Sequence, residues 1–596
     1  IGILICKIKK YGKASVDMKQ LQFKLAVIGG GMAGLTAAIA AAREGVKTLL
    51  LHNRPVLGGN ASSEIRMHIC GADHHEKNKN ARETGIIEEI LLENKKRNPH
   101  HNFTIFDMIL LEKVWDEPNI TLLLNTHMTD VTANNNKIES VKAIQLTSEQ
   151  EFLITADLFI DATGDGTLSS KAGAEVMVGQ EGKDLYNEQH ALEAGNSYVM
   201  GNSLMFQARD ISEPVAFVKP KFAYEYSEED LAHRGHKEYN SGYWWIELGQ
   251  SIEQIIENAE DTAKELTKTV WGIWSHQKKY HKEAENFSLE WVGALPGKRD
   301  SRRIKGDYVL NGNDCMNNTV FDDVIGFGGW PMDMHAPGGF LNTKEPPTNF
   351  IHLPYIYSVP YRSLYSSNIE NLMLAGRIIS ASHLAFGSLR VMATLAALAQ
   401  ATGVAAAYAV KNKATPREVL KDIKKLQQKL LKDDCYLPGI KNEDENDYAR
   451  SAKVTASSGD ASQVINGVSR TILHDINEWI SDPADKAPYI SLDLNGKKNI
   501  SQVRITFDSN LSKAVMTSMS KFVQDSQVKG APYELVRDYN VILFDGEKEV
   551  FRKEIRNNYQ RLNVIDFDDI MVSDVKIEVA ATHGDESARI FEVRIY

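Results

Sequence analysis

The chain has 596 residues, a net charge of −11, 43% hydrophobic and 25% charged residues. That length gives two or three domains with a large core, and the acidic balance excludes a global basic field for nucleic acid or anionic membrane. Cys6, Cys70, Cys315 and Cys435 stand far apart with no CxxC. This excludes a disulfide scaffold, gives no metal-ligand spacing, so that no metal site is expected, and favours a reducing, cytoplasmic compartment.

The chain opens on Ile, and IGILIC is too short for the core of a signal peptide. Met18 reads as the real start, which makes residues 1–17 an upstream extension, and residues 1–23 together form the N-terminal extension ahead of the FAD domain. A truncated signal sequence, and with it a periplasmic location, is the alternative. Next comes Leu25–Gly34, LAVIGGGMAG. Leu25 to Ile28 is an aliphatic run typical of a strand buried on both faces. Gly29, Gly31 and Gly34 follow at G-x-G-x-x-G spacing, then an Ala-rich helix to Gly45 and a second strand, Val46–Leu51. Gly29 permits the tight turn, Gly31 lets backbone approach a pyrophosphate, and Gly34 lets helix and strand pack closely. Gly31, Met32, Ala33 and Gly34 open a helix whose free N–H groups and partial positive charge suit phosphates. The carboxylate expected after the second strand, to bind a ribose hydroxyl, is replaced by His52 and Asn53. Asn53 can still hydrogen-bond a hydroxyl, and His52 either does the same or caps the strand.

The stretch RPVLGGNASSEIRMHICGADHH places Gly58, Gly59, Asn60 and Arg66 in a ligand-approaching loop, with His68 and Cys70 close behind. A helix is predicted over 81–96, a strand over 122–125, and an antiparallel meander over 128–155 around the turn ANNNK. ADLFIDATGDG then gives a buried strand ending in Asp161, Thr163, Gly164 and Asp165. Residues 175–360 read as an α+β substrate domain inserted into the nucleotide fold. It carries a strand-like aromatic cluster, YWWIE at 243–247, a helix over about 252–282, and the run GKRDSRRIKGDYVL. The aromatic cluster is read as core, with sugar stacking as the alternative. Arg299, Arg302 and Arg303 read equally as an ion-pair network or as an anion or cofactor anchor. NLMLAGRIISASHLAFGSLRVM supplies a strand, Gly376 and Arg377, and then a small-residue helix from Leu389. The apolar stretch Val391–Val410 is rich in Ala, Gly and Thr and contains Gln400, which suits a buried helix better than a membrane span.

Strand, GxGxxG, helix, second strand, meander and a strand ending in ATGDG together resemble the flavoprotein fold shared by glutathione reductase and succinate dehydrogenase. Over about residues 24–410, GGNASSEIRMHI, YWWIELG, GKRDSRRIKGDYVL and GRIISASHLAFGSLRVM resemble the bacterial FAD-dependent oxidoreductases of the FAD_oxidored type. The resemblance implies an α/β, Rossmann-like domain holding an extended FAD, adenine end on the first βαβ unit. It also implies that Thr163, Gly164, Gly376, Arg377, Gly387, Ser388 and Arg390 hold the ribityl chain and flavin ring, with His383 near the reacting face. Hydroxyl oxidation needs a base, and histidine suits it near neutral pH. His383, His68 and His335 are the candidates, in that order. Cys70 without a CxxC partner gives a disulfide-reductase mechanism little support.

Residues 413–450 read as a Lys-rich helix and a polar linker. From Val454 short alternating strands predict a β-sandwich over 451–596 that resembles the discoidin (coagulation-factor type C) jelly roll, a galactose-binding-like fold. The division is thus 24–174 and 361–412 for the FAD domain, 175–360 for the inserted domain, 413–450 for the connector and 451–596 for the sandwich. The expected activity is oxidation of a hydroxyl on a sugar or glycoside by hydride transfer to flavin N5. A flavin-dependent tRNA-modifying protein, which the first βαβ unit also resembles, is disfavoured by the acidic charge. A carbohydrate-binding protein with structural FAD is the other alternative. The electron acceptor and the oligomeric state have no signal in the sequence.

Overall fold

The first strand, Lys19–Ile28, buries its last four residues completely and runs through a seven-stranded mixed sheet. The computed structural model describes residues 18–74 and 76–596, so the expectations for residues 1–17 lie outside the described residues. Strands Ile120–Leu123, Thr48–Leu51, Lys19–Ile28 and Gln150–Asp161 lie side by side and parallel, and Leu372–Leu374 joins Gln150–Asp161 in the same sense. The hairpin Thr126–Asn134 and Lys137–Gln145 extends the sheet antiparallel, turning at Asn135 and Asn136, both at positive φ. Asparagine tolerates that conformation, so the ANNNK turn falls where the sequence places it.

Register decides where a ligand can sit. Ile28 lies opposite Leu51 on one side and Asp161 on the other, and Leu374 also lies opposite Asp161. Four strands therefore end level, and Gly29, His52, Ala162 and Ala375 leave the sheet at one edge. In open parallel sheets, ligands bind beyond these carboxyl ends.

Helix Met32–Arg43 packs against helix Met392–Asn412. A Cβ on Gly403 would lie 2.2 Å from the Ala37 carbonyl, so the small residues of both helices are what allow the approach. Among the described residues this second helix alone is long and apolar enough to cross a membrane, and 83% of its most apolar window is buried inside the protein. The helix expected over 81–96 runs Ile86–Arg97. It is followed by Phe103–Trp115, whose Asn102 cap accepts from the Thr104 and Ile105 N–H groups. The apolar residues of that helix wrap around it rather than forming one stripe, which hides it from a periodicity reading.

Residues 175–360 are loop-rich; Phe206, Trp245, Leu266, Trp274 and Phe340 form a separate core, whereas Ile304, Leu310, Met332 and Tyr357 join the core of the first sheet. The aromatic run is a strand only at Glu247–Leu248. Tyr243 and Trp245 stack at 4.8 Å within the core. The long helix is Ala259–Tyr280, preceded by a π-helical turn at Glu253–Glu257.

The C-terminal part is a seven-stranded, sandwich-like antiparallel sheet. Its longest strands, Tyr489–Phe507 and Leu562–Thr582, slip register twice, which bends them around a core containing Trp479, Phe507 and Tyr539. The polar connector is not a free linker. Asp434, Asn442 and Asp447 are buried, Asp434 pairs with Arg561 at 2.9 Å, and Asp447 accepts from the Ile595 N–H at 2.9 Å. Composition reports those side chains as polar but not what they bind.

Candidate active site

A cleft of about 720 Å³ opens along the carboxyl edge of the sheet. At one end two glycine loops face each other. Gly58 donates its N–H to the Gly30 carbonyl at 2.9 Å, and a Cβ on Gly31 would meet nothing nearer than the Gly59 Cα at 4.0 Å. Gly29 sits at φ +115°, and a Cβ on Gly34 would lie 1.8 Å from the Gly29 carbonyl. Gly29 and Gly34 are thus required by the fold, whereas Gly31 leaves a bare slot. No side chain caps the N-terminus of Met32–Arg43, so its N–H groups remain available to phosphate oxygens.

His52 accepts the Gly30 N–H on Nδ1 at 3.0 Å, which puts its ring proton on Nε2, a buried atom without a partner. Burial, then the charge of Arg54, pushes its pKa down to about 4. A neutral donor on the cleft wall replaces the usual carboxylate and suits a ribose oxygen.

Farther along, Asp161 accepts hydrogen bonds from the N–H and hydroxyl of both Thr163 and Ser169, fixing the ATGDG turn. Asp165 binds Arg377 at 2.9 Å and Lys298 at 2.7 Å. These residues, with Gly164, Gly376, Asn53 and Asn60, line the middle of the cleft apart from Asp161 and Ser169, which lie behind it.

The far end carries the titratable cluster. His335, on strand Met332–His335, holds Glu247 Oε2 through Nδ1 at 2.5 Å. Its Nε2 lies 2.9 Å from the Arg390 guanidinium, which also binds Asp333. The Glu247 carboxylate, which only accepts, puts a proton on Nδ1; Nε2 faces both Asp333 at 3.4 Å and the nearer guanidinium, which only donates, and the nearer contact leaves the lone pair on Nε2. Burial pushes the Glu247 carboxyl up, but His335 and Arg299 (3.3 Å) outweigh it and hold the carboxyl below its usual range. Trp244 packs edge-on against His335 at 5.6 Å, and Trp330 and Phe350 complete an aromatic wall. The N-terminus of Met392–Asn412 also reaches the cleft, through Val391, Met392 and Leu395.

The sequence-derived residues divide cleanly. Gly29, Gly31, Met32, Ala33, Gly34, His52, Asn53, Gly58, Gly59, Asn60, Thr163, Gly164, Gly376, Arg377, Arg390, His68 and His335 line the cleft. His383, Arg66, Gly387 and Ser388 do not. His383 is buried, with Nδ1 3.5 Å from Asp300 and neither ring nitrogen hydrogen-bonded. Burial, then the charges of Arg303 and Arg390, drives its pKa well below the usual value. Arg66 donates to Gln207 at 2.6 Å and lies over Trp291. Ser388 is tied to Tyr357 and the Trp330 carbonyl, and Gly387 lets its helix close on Asp333. The helix break falls later than the motif suggests, at Arg390–Val391.

The arginine run splits in the same way. Arg299 lines the cleft, whereas Arg303 is buried against Glu181. Cys70 lines the cleft, and burial pushes its thiol up, away from a thiolate nucleophile. Glu247, Asp333 and Lys298 were not singled out as site residues. Glu247 stood in YWWIELG and Asp333 two residues before His335, and pairing with a histidine is what distinguishes them.

The family model described as FAD dependent oxidoreductase matches residues 24–430, and the chain belongs to this family. Its cofactor is FAD, and the glycine slot, the free helix N-terminus and the orphaned His52 donor fit a dinucleotide. Solved structures similar to parts of the chain include a Streptococcus pneumoniae fucose-binding module, at 15% identity over 25% of this chain and 96% of that one, TM-score 0.20. The lectin domain of lectinolysin complexed with Lewis B antigen is similar at 17% identity over 26% and 97%, TM-score 0.20. The C. perfringens NanJ family 32 carbohydrate-binding module, in complex with galactose, gives 17% over 25% and 97%, TM-score 0.19.

Proposed function

We propose that the protein oxidises a secondary or primary hydroxyl of a sugar or glycoside to a carbonyl, with His335 as the base. The observation that carries this is the buried Glu247–His335 pair, whose Nε2 lone pair stands at the cleft end opposite the glycine slot. Bound FAD supplies the acceptor for the hydride that leaves the hydroxyl-bearing carbon. His335 Nε2 takes the hydroxyl proton, and Glu247 stabilises the imidazolium that results. Arg390 and Arg299 polarise the developing carbonyl oxygen, and Asp333 fixes Arg390. Trp244, Trp330 and Phe350 offer apolar faces beside these charged groups, the combination that suits a sugar ring with one apolar face and a polar rim. The level-ending parallel strands support a glutathione reductase-like arrangement, in which the Gly31 slot, His52 and Arg377 would hold FAD. His68 lines the cleft and His383 lies behind its wall, and neither takes the proton in this reading.

The test is anaerobic titration of the purified holoprotein with a panel of sugars and glycosides, following the flavin absorbance. Bleaching by one of them, lost in His335→Asn with FAD still bound, is the expected result. A flavin left oxidised by every sugar but bleached by NADH or NADPH overturns it in favour of a reductase.

A further inference from the structure

Far from the glycine slot, Glu228, His236, His276 and His281 bring one ligand atom each to within 4.8 Å of one another. Among the described residues this is the one cluster of histidine, cysteine and carboxylate groups so arranged. The histidines are 6%, 3% and 9% exposed. Their ring centres form a near-equilateral triangle of 5.4, 5.2 and 5.4 Å. Three imidazoles bound through Nε2 to a tetrahedral ion, with metal–nitrogen bonds of about 2.0–2.1 Å, place their ring centres about 5 Å apart.

The fourth corner fits as well. Glu228 Oε1 lies 3.2 Å from His276 Nε2 and 3.1 Å from His281 Nε2, and Oε2 lies 3.4 Å from His236 Nε2. The edge of such a tetrahedron is about 3.3 Å. Each Nδ1 is already engaged: His236 on the Arg234 carbonyl at 2.6 Å, His276 on the Tyr226 carbonyl at 2.9 Å, His281 on the Tyr239 hydroxyl at 2.9 Å. A carbonyl only accepts, so His236 and His276 carry the ring proton on Nδ1 and direct an Nε2 lone pair at a carboxylate. Lone pairs facing a carboxylate repel unless a positive charge lies between them: either a second proton on each ring, which crowds three imidazolium groups onto one carboxylate, or a single metal ion. The Nδ1 contacts are the outer-shell bonds that orient metal-bound histidines.

We propose that these four residues bind a structural Zn²⁺ ion. Three nitrogens and one carboxylate in a closed tetrahedron match zinc rather than magnesium or calcium, which prefer more oxygen ligands. The role follows from the fold. Among the described residues, 211–246 hold no helix or strand. Glu228 and His236 lie in that segment, His276 in the last turns of helix Ala259–Tyr280, and His281 just beyond it. The ion pins the segment to the helix. Gln277 continues the link by donating to the His236 carbonyl and the Tyr243 hydroxyl, and Tyr243 stacks on Trp245, next to Trp244 in the cleft. Zinc therefore steadies the wall that carries Trp244 and Glu247 without touching the reaction.

The experiment is metal analysis of the untagged full-length holoprotein, then chelation and titration of the stripped protein with Co²⁺. The expected result is about one zinc per chain and, with Co²⁺, the strong visible bands of a tetrahedral site. Melting temperature should fall on chelation and recover with Zn²⁺. His236→Ala and His276→Ala should lose the metal while the flavin band persists, and Tyr239→Phe should weaken binding by about tenfold. If the alanine variants fail to fold, the Co²⁺ titration of wild type still decides. A stripped wild-type protein that takes up neither Co²⁺ nor Zn²⁺ stoichiometrically overturns the proposal, as do folded alanine variants that keep full metal content.

Discussion

His335 and His52 show how one side chain type takes opposite roles by its partners. Glu247 on Nδ1 leaves the His335 Nε2 lone pair facing Arg390 at 2.9 Å, a contact that a substrate hydroxyl must replace before it gives up its proton. Replacing Glu247 by Gln removes the charge that supports the imidazolium. Flavin reduction should slow by about 10²–10⁴-fold with FAD content unchanged, read by stopped-flow absorbance. His52 is instead held neutral, since burial lowers its pKa from 6.5 to about 4. The unfolded chain takes up this proton first as pH falls. The group costs nothing above pH 6.5, and stability is lost between 6.5 and about 4, by up to about 3 kcal/mol. His52→Asn keeps an acceptor for the Gly30 N–H but does not titrate there. Its melting temperature should fall less than that of wild type over that interval.

The strand–turn–helix unit makes two glycine predictions that point in different directions. Gly31 has φ −66°, which any residue adopts, and its Cβ direction is open. Gly31→Ala should fold and melt like apo wild type but bind FAD more weakly by at least about tenfold, because the methyl group fills the pyrophosphate slot. Gly34→Ala places its methyl 1.8 Å from the Gly29 carbonyl, which cannot yield without opening the turn. It should cost about 3 kcal/mol or more and reduce soluble yield. Circular dichroism and flavin content of the two variants separate slot from scaffold. The GxGxxG spacing assigns the same division, with Gly31 the one of the three glycines whose Cβ direction is open.

The C-terminal sandwich is bound to the flavin domain and the connector through buried charged side chains rather than tethered to them. Arg82 pairs with Glu88 in the flavin domain and also donates to the Ser509 and Asn510 carbonyls of the sandwich. Arg561 holds Asp434 of the connector and the Phe507 carbonyl. Asp434→Ala leaves Arg561 buried without its counter-charge, and such losses cost about 3–5 kcal/mol. Calorimetry should show one unfolding transition for wild type and two for the variant, as the sandwich uncouples.

By itself the sequence determined the local elements: the βαβ unit, the meander with its Asn turn, the small-residue helix and the run of β-strands after Val454. Periodicity and turn chemistry act over neighbouring residues and can be read without a fold. The nucleotide end of the cleft shares that property, because its glycines are contiguous in the chain. Tertiary structure decided the end that holds the titratable cluster. His335 and Glu247 are far apart in sequence and become a pair only when strand Met332–His335 meets the turn carrying Trp244. His383, favoured by its place in a motif, is sealed behind the wall, and the tertiary fold alone determines which way a helix-start side chain faces. The four-residue cluster at Glu228 follows the same logic: two ligands on a loop and two at a helix end meet only because the loop folds back.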